Sequence, residues 1–133
     1  MGVRILIVED DAVNQRVAQL MLQRAGYTAD VVSDGCQAVA ACHAQDYDLV
    51  LMDCRMPELD GLEAAQHIRK LGQHQPAIIA VTACVKAGFR ERCLESGMDD
   101  YLSKPYHWHQ LMQVVQEHLK RPQQPVPSPL SAD

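Results

Sequence analysis

Acidic, hydroxyl and amine side chains directly follow four of the apolar runs in this sequence. Glu9 and Asp10 follow the first run, Asp53 the third, Thr82 the fourth and Lys104 the last. Clustered carboxylates repel one another, and each raises the pKa of its neighbour unless a cation compensates the charge. A hard divalent ion such as Mg²⁺ takes oxygen ligands and often uses only one or two carboxylates. Brought together, these residues would form a partial magnesium cage with a lysine ammonium beside it.

The apolar runs have the length and composition of buried β-strands. They cover residues 4–8, 28–32, 48–52, 77–81 and 101–103. Strands that are apolar on both faces are typical of a parallel sheet covered by helices on both sides. Their alternation with five helix-like segments predicts an α/β doubly wound sheet in three layers, α/β/α. Ligands of such sheets bind at the carboxyl ends of the strands, so we expect the polar residues to meet at one edge.

Apolar side chains recur at helical spacing between the strands, which is typical of helix faces that pack on a sheet. The stripes are Val13, Val17, Leu20 and Met21 in the first helix; Ala38, Val39 and Cys42 in the second; Ala64, Ile68 and Leu71 in the third; and Leu111, Val114, Val115 and His118 in the fifth. A weaker fourth helix is predicted over 86–95. We expect Asp11 and Asp34 to cap the first two helices, and Gly26 and Gly97 to follow helix ends.

Length and charge narrow the class of protein. The chain has 133 residues, which favours one domain, and 17 acidic against 12 basic residues give a net charge of −5. A nucleic-acid surface needs positive charge to displace counterions, so we expect no contact with nucleic acid. No run reaches the roughly 20 apolar residues of a membrane span, so we expect no membrane contact by this domain.

The domain is predicted to cover 1–120, and the proline-rich residues 121–133 are predicted to form a flexible tail or linker.

The cysteines indicate a reducing compartment. Five cysteines without regular spacing argue against a disulfide framework. Cys42–His43 and His107–His109 match no zinc spacing. We therefore expect buried thiols and surface histidines in the cytoplasm.

Four stretches, each at a predicted strand end, resemble the receiver domain of two-component response regulators. They are Ile5–Asp11, Leu51–Pro57, Val81–Ala83 and Tyr101–Pro105. Each stretch alone is weak, but all four in this order are highly specific. The resemblance covers about residues 3–120 and implies a flavodoxin-like fold with strand order 2-1-3-4-5, as in the family's chemotaxis regulator.

The resemblance implies a phosphoacceptor and a metal site. Asp53 would be a carboxylate nucleophile that forms an aspartyl phosphate. Asp10, Asp53 and the backbone carbonyl of Arg55 would bind Mg²⁺, which Mn²⁺ could replace, and Glu9 would act through metal-bound water. The domain would thus catalyse its own aspartyl phosphorylation and dephosphorylation.

The resemblance also implies phosphoryl contacts and a switch. Lys104 would pair with one phosphoryl oxygen as a point charge, while the Thr82 hydroxyl and the Ala83 backbone N–H would bond others. The Lys104–Pro105 bond is a candidate cis peptide, because only X–Pro bonds tolerate cis at low cost. Thr82 and Tyr101 would couple phosphorylation to a surface formed by the fourth helix, fifth strand and fifth helix.

The partner implied by the resemblance is a phosphohistidine donor, on a sensor histidine kinase or a histidine phosphotransfer domain. Val13–Gln15 and Met52–Pro57 most resemble receivers of hybrid sensor histidine kinases, in which the domain would belong to the cytoplasmic part of a membrane sensor. Two alternatives stay open. One is a free-standing single-domain regulator. The other is an interaction module that works without phosphorylation. In a hybrid kinase and in a free-standing regulator alike, a dimer that depends on phosphorylation also stays open as a partner state.

Three enzyme or cofactor classes fit less well. A flavodoxin-type flavin protein needs a phosphate-binding loop after the first strand, where Glu9–Asp11 would repel the phosphate. The P-loop motif is missing from the sequence. A haloacid-dehalogenase-like phosphatase expects a second aspartate at the position that Arg55 holds.

Overall fold

The computed structural model describes residues 3–54, 61–71, 75–83 and 87–120. In these ranges five strands alternate with five helices. In chain order they are β1 (Ile5–Val8), α1 (Ala12–Arg24), β2 (Ala29–Val32), α2 (Gly35–Ala44), β3 (Leu49–Asp53), α3 (Gly61–Arg69), β4 (Ala77–Thr82), α4 (Phe89–Glu95), β5 (Asp100–Ser103) and α5 (Trp108–Lys120). The predicted strands therefore exist, each within one residue of its expected ends.

The five strands form one parallel sheet in the order β2-β1-β3-β4-β5. Val8 at the end of β1 pairs with Met52 of β3, and Asp53 pairs with Val81 of β4. The residues after β1 and at the end of β3 are thus neighbours at one edge of the sheet. The α/β doubly wound, flavodoxin-like fold and its strand order are confirmed.

The sheet has a hydrophobic core on each face. Successive strand residues point to opposite faces, so Leu6 and Val8 pack with α2, α3 and α4, whereas Ile5 and Ile7 pack with α1 and α5. Strands buried on both faces need apolar residues at every position, which explains the continuous apolar runs.

Local signals set the helix ends as expected. Asp11 accepts a hydrogen bond from the backbone N–H of Asn14 at 2.9 Å, and Asp34 accepts one from Gln37 at 2.8 Å. Gly97 follows α4 with φ at +107°, a conformation that strongly favours glycine. The helix predicted over 86–95 begins at Phe89; Lys86 lies outside the described residues.

The prediction for the packed face of α1 was wrong for three of its four residues. Met21 packs against the core as expected. Val13, Val17 and Leu20 are 69%, 42% and 47% exposed, whereas the buried residues of this helix are Ala18 and Leu22. A second apolar row, one position along from the expected one, faces the sheet. The small side chain of Ala18 allows α1 to approach the strands closely. The helical period is the same for both apolar rows, so it does not indicate which row faces the sheet. The three exposed side chains form an apolar stripe, here called the α1 stripe.

The expectations about histidines and cysteines are met in part. His118 is buried, as its place in the predicted stripe of α5 implies and in contrast to the general expectation of surface histidines, and its Nε2 lies 2.9 Å from Asp100 Oδ2. Cys42, Cys54 and Cys93 are buried as expected, whereas Cys36 is exposed. Cys84 lies outside the described residues.

No helix in the described ranges is long and apolar enough to cross a bilayer. The predicted tail, 121–133, lies outside the described residues.

Candidate functional site

Three carboxylates meet at the edge of the sheet. Glu9 and Asp10 directly follow β1, and Asp53 is the last residue of β3. One carboxylate oxygen from each lies within 4.8 Å of the others. Glu9 and Asp53 are each only 6% exposed, whereas Asp10 is exposed. Oxygen donors this close, two of them buried, are a donor set that fits a hard divalent cation.

Hydrogen bonds hold Glu9 in place. Its backbone N–H donates to the carbonyl of Val32 in β2 at 3.1 Å. Its carbonyl accepts a bond from the Gln15 side chain at 2.6 Å, and its carboxylate accepts one from the Asp11 backbone N–H at 3.2 Å. The loop between β1 and α1 therefore keeps this carboxylate aimed at the cleft.

Lys104 brings a positive charge to the carboxylates. Its backbone N–H donates to the carbonyl of Thr82 at 2.8 Å, which fixes the chain just after β5 beside the end of β4. The bond from Lys104 to Pro105 is cis. Lys104 Nζ lies 3.0 Å from Glu9 Oε1 and 3.5 Å from Asp53 Oδ2, so one ammonium bridges two carboxylates that reach it from different strands.

The pKa of Lys104 reflects two opposed effects. Burial disfavours the charged ammonium and would lower the pKa. The hydrogen bond to Glu9 and the negative charges of Asp53 and Glu9 outweigh burial, so the pKa of Lys104 is raised above its ordinary value. The ammonium is therefore charged at neutral pH.

The remaining candidate residues lie around this cluster. Thr82 ends β4 next to the strand position that pairs with Asp53, and it is 1% exposed. Ala83 follows it and lines the cleft. Tyr101 of β5 is half-buried against the core, its ring meeting that of Phe89 edge-on at a centroid distance of 6.4 Å. Arg55 lies outside the described residues.

The carboxylates open onto a cavity of about 360 Å³ between α1 and the loop after β5. Its walls include Asp53, Lys104, Val17, Met21 and Tyr106. Burial raises the pKa of Tyr106, the positive charge of Lys104 opposing the shift, so this phenol is neutral at pH 7. Neither Tyr106 nor the α1 side of the cavity was predicted. No residue spacing in the sequence marks them, because the exposure of Val13, Val17 and Leu20 is known only from the structure.

Comparison with known proteins places this geometry in a family. The response regulator receiver domain matches residues 5–116. Among curated relatives, a probable histidine kinase 1 of Oryza sativa subsp. indica is 34% identical over 87% of this chain, and the sensor protein GacS of Pseudomonas syringae pv. syringae is 40% identical over 84%. This chain spans only 15% and 13% of those two proteins.

Solved structures give the same result. The receiver domain of a sensor histidine kinase from Pseudomonas aeruginosa PAO1, with magnesium coordinated in its active site cleft, is 45% identical with a TM-score of 0.82, covering 91% of this chain and all of that one. The receiver domain of the response regulator Ssk1 of Saccharomyces cerevisiae, in complex with the histidine phosphotransfer protein Ypd1, is 30% identical with a TM-score of 0.81, covering 87% of this chain and 88% of that one. This chain belongs to the response regulator receiver domain family of two-component phosphorelays and closely resembles the receivers of hybrid histidine kinases.

Proposed function

We propose that this chain accepts a phosphoryl group on Asp53 from a phosphohistidine of a partner protein. The observation that carries the proposal is the cluster at the sheet edge, where Glu9, Asp10 and Asp53 lie within 4.8 Å of one another and the Lys104 ammonium lies 3.5 Å from Asp53. Asp53 is the last residue of β3 and, like Glu9, lines the cavity. A donor that enters the cavity would reach this carboxylate.

In the proposed reaction a carboxylate oxygen of Asp53 attacks the phosphorus. The bond between phosphorus and the donor imidazole nitrogen breaks, and that nitrogen keeps the electron pair. Catalysis of phosphoryl transfer consists mainly of positioning and of neutralising the charge on the equatorial oxygens. Lys104 would supply one positive charge, and the Thr82 hydroxyl and the Ala83 backbone N–H would donate hydrogen bonds to other phosphoryl oxygens.

The same carboxylates would hold Mg²⁺, as the magnesium in the similar Pseudomonas aeruginosa receiver supports. Asp10 and Asp53 would be direct ligands with the backbone carbonyl of Arg55, and Glu9 would act through metal-bound water. When bound, the ion would neutralise negative charge on the transferred group. Mn²⁺, which also prefers oxygen ligands, would be able to replace it.

The proposed partner surface is the α1 stripe beside the cavity. Val13, Val17 and Leu20 are exposed apolar side chains on one helix, and grouped apolar exposure is typical of an interaction site. The yeast receiver in complex with a phosphotransfer protein supports a partner of this kind. We further propose that this domain belongs to a hybrid sensor histidine kinase rather than acting as a free-standing regulator. The similarity to hybrid signal transduction histidine kinases of Dictyostelium discoideum supports this.

Phosphorylation would act on the rest of the molecule through Thr82 and Tyr101. Thr82 lies beside the acceptor, and Tyr101 contacts Phe89 of α4. A shift of Thr82 toward the phosphoryl group would therefore change the packing of Tyr101 in β5 and of Phe89 in α4. The surface of α4, β5 and α5 is then the proposed output, and residues 121–133 the proposed linker. A reducing cytoplasm suits the thiol-containing domain.

Acetyl phosphate with Mg²⁺ tests the phosphoacceptor. Intact-mass measurement of the wild-type chain should show one added phosphoryl group. Asp53→Ala removes the nucleophile, so its mass should stay unchanged under the same conditions. Asp46→Ala, which removes an exposed carboxylate elsewhere, should be labelled like the wild type.

Two outcomes would contradict the proposal. Labelling that persists in Asp53→Ala would move the acceptor to another residue. A wild-type chain that takes no phosphoryl group, yet binds a kinase or phosphotransfer protein, would favour the interaction module instead.

A further inference from the structure

Two buried thiols touch beside the proposed phosphoacceptor. Cys54 directly follows Asp53 at the end of β3, and Cys93 lies in α4, 39 positions along the chain. Their sulfur atoms are 3.9 Å apart, and the two side chains are 4% and 0% exposed. The fold thus brings together two cysteines that belong to separate elements.

The backbones of both cysteines are anchored. Cys54 donates its N–H to the carbonyl of Val81 at 3.3 Å, and its carbonyl accepts from Gly61 at 3.4 Å. The carbonyl of Cys93 accepts from the Ser96 hydroxyl at 2.7 Å and from the backbone N–H of Met98 at 3.2 Å. The contact between the sulfurs is therefore a property of the packed core, because neither backbone is free to drift away.

A disulfide requires the sulfurs to approach to about 2.05 Å. From 3.9 Å that is a movement of roughly 2 Å, which rotation of the two side chains and adjustment of the elements that carry them would have to supply. The phosphoryl chemistry proposed above uses neither thiol. Their proximity is then open to another use.

We propose that Cys54 and Cys93 are a redox-active pair that a peroxide converts into an intramolecular disulfide. The Cys54 sulfur attacks the O–O bond of hydrogen peroxide, one water leaves, and a sulfenic acid forms. The Cys93 sulfur then attacks that sulfur, and the hydroxyl leaves as a second water with the thiol proton. Two thiols lose two electrons in all, and one peroxide is reduced to two waters. A dithiol reductant reverses the change.

Burial sets the character of this pair. Both side chains are buried, so an oxidant reaches the sulfurs only when the fold opens locally, and the reaction is slow. The pair should therefore respond to sustained oxidation, not to brief exposure, and the disulfide should be protected from reductants once it has formed. The exposed Cys36 should instead be oxidised quickly and form links between molecules.

The disulfide would restrain the proposed switch. It would tie the residue next to Asp53 to α4, the helix that carries Phe89 against Tyr101, and the closed loop would contain Thr82. If phosphorylation on Asp53 needs α4 and the end of β4 to adjust, the oxidised form should accept the phosphoryl group more slowly. This part rests on the function proposed above, whereas formation of the disulfide does not.

The experiment uses the full chain with Cys36→Ser, to prevent links between molecules. After treatment with hydrogen peroxide, intact mass should show the loss of two hydrogens, and peptide mapping should join the peptides that contain residues 54 and 93. Cys93→Ser and Cys54→Ser in the same background should lose this product, whereas Cys42→Ser should keep it. The oxidised chain should melt at a higher temperature, because the link reduces the entropy of the unfolded chain.

Acetyl phosphate labelling then separates the two claims. The reduced chain should be labelled faster than the oxidised chain, and Cys93→Ser should be labelled equally with and without peroxide. A folded chain in which residues 54 and 93 stay thiols, or join another cysteine, overturns the redox pair. Equal labelling of reduced and oxidised chains overturns its effect on the switch. A reduced chain that takes no phosphoryl group from acetyl phosphate contradicts the proposed function. In that case the intact-mass and peptide-mapping results alone decide whether Cys54 and Cys93 form a disulfide.

Discussion

At the scale of single residues, the site balances negative charge against one ammonium. Lys104 Nζ bridges Glu9 and Asp53 at 3.0 and 3.5 Å. Its positive charge therefore neutralises part of the negative charge that would attract a divalent cation. The raised pKa of Lys104 means that this ammonium stays charged up to and beyond its ordinary titration range. The charge of Lys104 therefore acts on the carboxylates equally across the neutral pH range. A substitution of Lys104, and not a change of pH, is needed to measure its contribution.

Lys104→Ala should move metal binding and phosphorylation in opposite directions. Without the ammonium the carboxylates lose a competing cation, so Mg²⁺ affinity should rise by roughly tenfold, equivalent to ~1.4 kcal/mol. Labelling by acetyl phosphate should slow by about 10²–10³-fold, the typical cost of losing one preorganised charge-stabilising group. Calorimetric titration with Mg²⁺ and timed intact-mass measurements give the two numbers. Lys104→Arg, which keeps the charge, is the control, and an unchanged or weaker Mg²⁺ affinity in Lys104→Ala would contradict the balance.

At the scale of elements, the start of α3 is packed tightly against the end of β3. A Cβ at Gly61 would lie 2.6 Å from the carbonyl oxygen of Asp53 and 2.9 Å from the Cα of Cys54. Both of these atoms belong to the backbone and cannot move aside cheaply. Close approach of this helix therefore helps to fix the backbone that carries Asp53.

Gly61→Ala should disturb both stability and the site. We expect the free energy of unfolding to fall by ~1–3 kcal/mol, the usual cost of overpacking, and labelling of Asp53 to slow because its backbone shifts. Denaturant unfolding and acetyl phosphate labelling measure the two effects. Gly88→Asn is the comparison, since its site is open: any loss of stability there reflects the positive φ alone, which asparagine adopts more readily than most residues, and not a collision with backbone atoms. An unchanged free energy of unfolding in Gly61→Ala would contradict the prediction, because it would mean that the start of α3 can move to accommodate the added methyl group.

The exposed face of α1 is the second feature at this scale. A helix that is apolar toward both the sheet and the solvent departs from the usual one-sided pattern, and here the solvent side borders the cavity above Asp53. Docking of the phosphohistidine donor is the use we propose for it.

Val17→Glu should weaken transfer from a protein donor more than labelling by a small one. A charge in the middle of an apolar contact should slow transfer by about tenfold, or ~1.4 kcal/mol. The measurement is the ratio of two rates, from a phosphorylated phosphotransfer protein that labels the wild type and from acetyl phosphate. Gln23→Glu adds the same charge to α1 away from the cavity and should leave the ratio near that of the wild type. An equal loss of both rates in Val17→Glu would place the defect in the site instead of the docking surface.

At the scale of the whole molecule, the carboxylates gathered at the sheet edge make the free energy of unfolding depend on cation binding. Three of the acids behind the net charge of −5 are gathered within 4.8 Å, at a point where the folded chain must hold them against their mutual repulsion. In the unfolded chain Glu9 and Asp53 are far apart, and a cation gains little from them. A ligand that binds only the folded form raises its stability.

Mg²⁺ should therefore raise the melting temperature of the wild-type chain, and a chelator should reverse the shift. At a hundredfold excess over the dissociation constant the stabilisation should be about 2.7 kcal/mol. Asp10→Asn removes one proposed ligand and should shrink the shift, whereas Asp46→Asn, which removes an exposed charge elsewhere, should not. Thermal denaturation across a Mg²⁺ series measures this. A shift of full size in Asp10→Asn would mean that the ion binds at another place.

The sequence alone determined the parts that depend on local order. Continuous apolar runs predicted parallel strands because burial on both faces needs apolar residues at every position, and Asp11 and Asp34 predicted helix starts because a cap acts within one turn. The polar residues at strand ends predicted a cluster because parallel strands share one carboxyl edge. Tertiary structure decided the rest. Two features depend on contacts between distant segments: which of two apolar rows of α1 packs, and that Cys54 lies against Cys93. The spacing of residues along the chain does not specify such contacts.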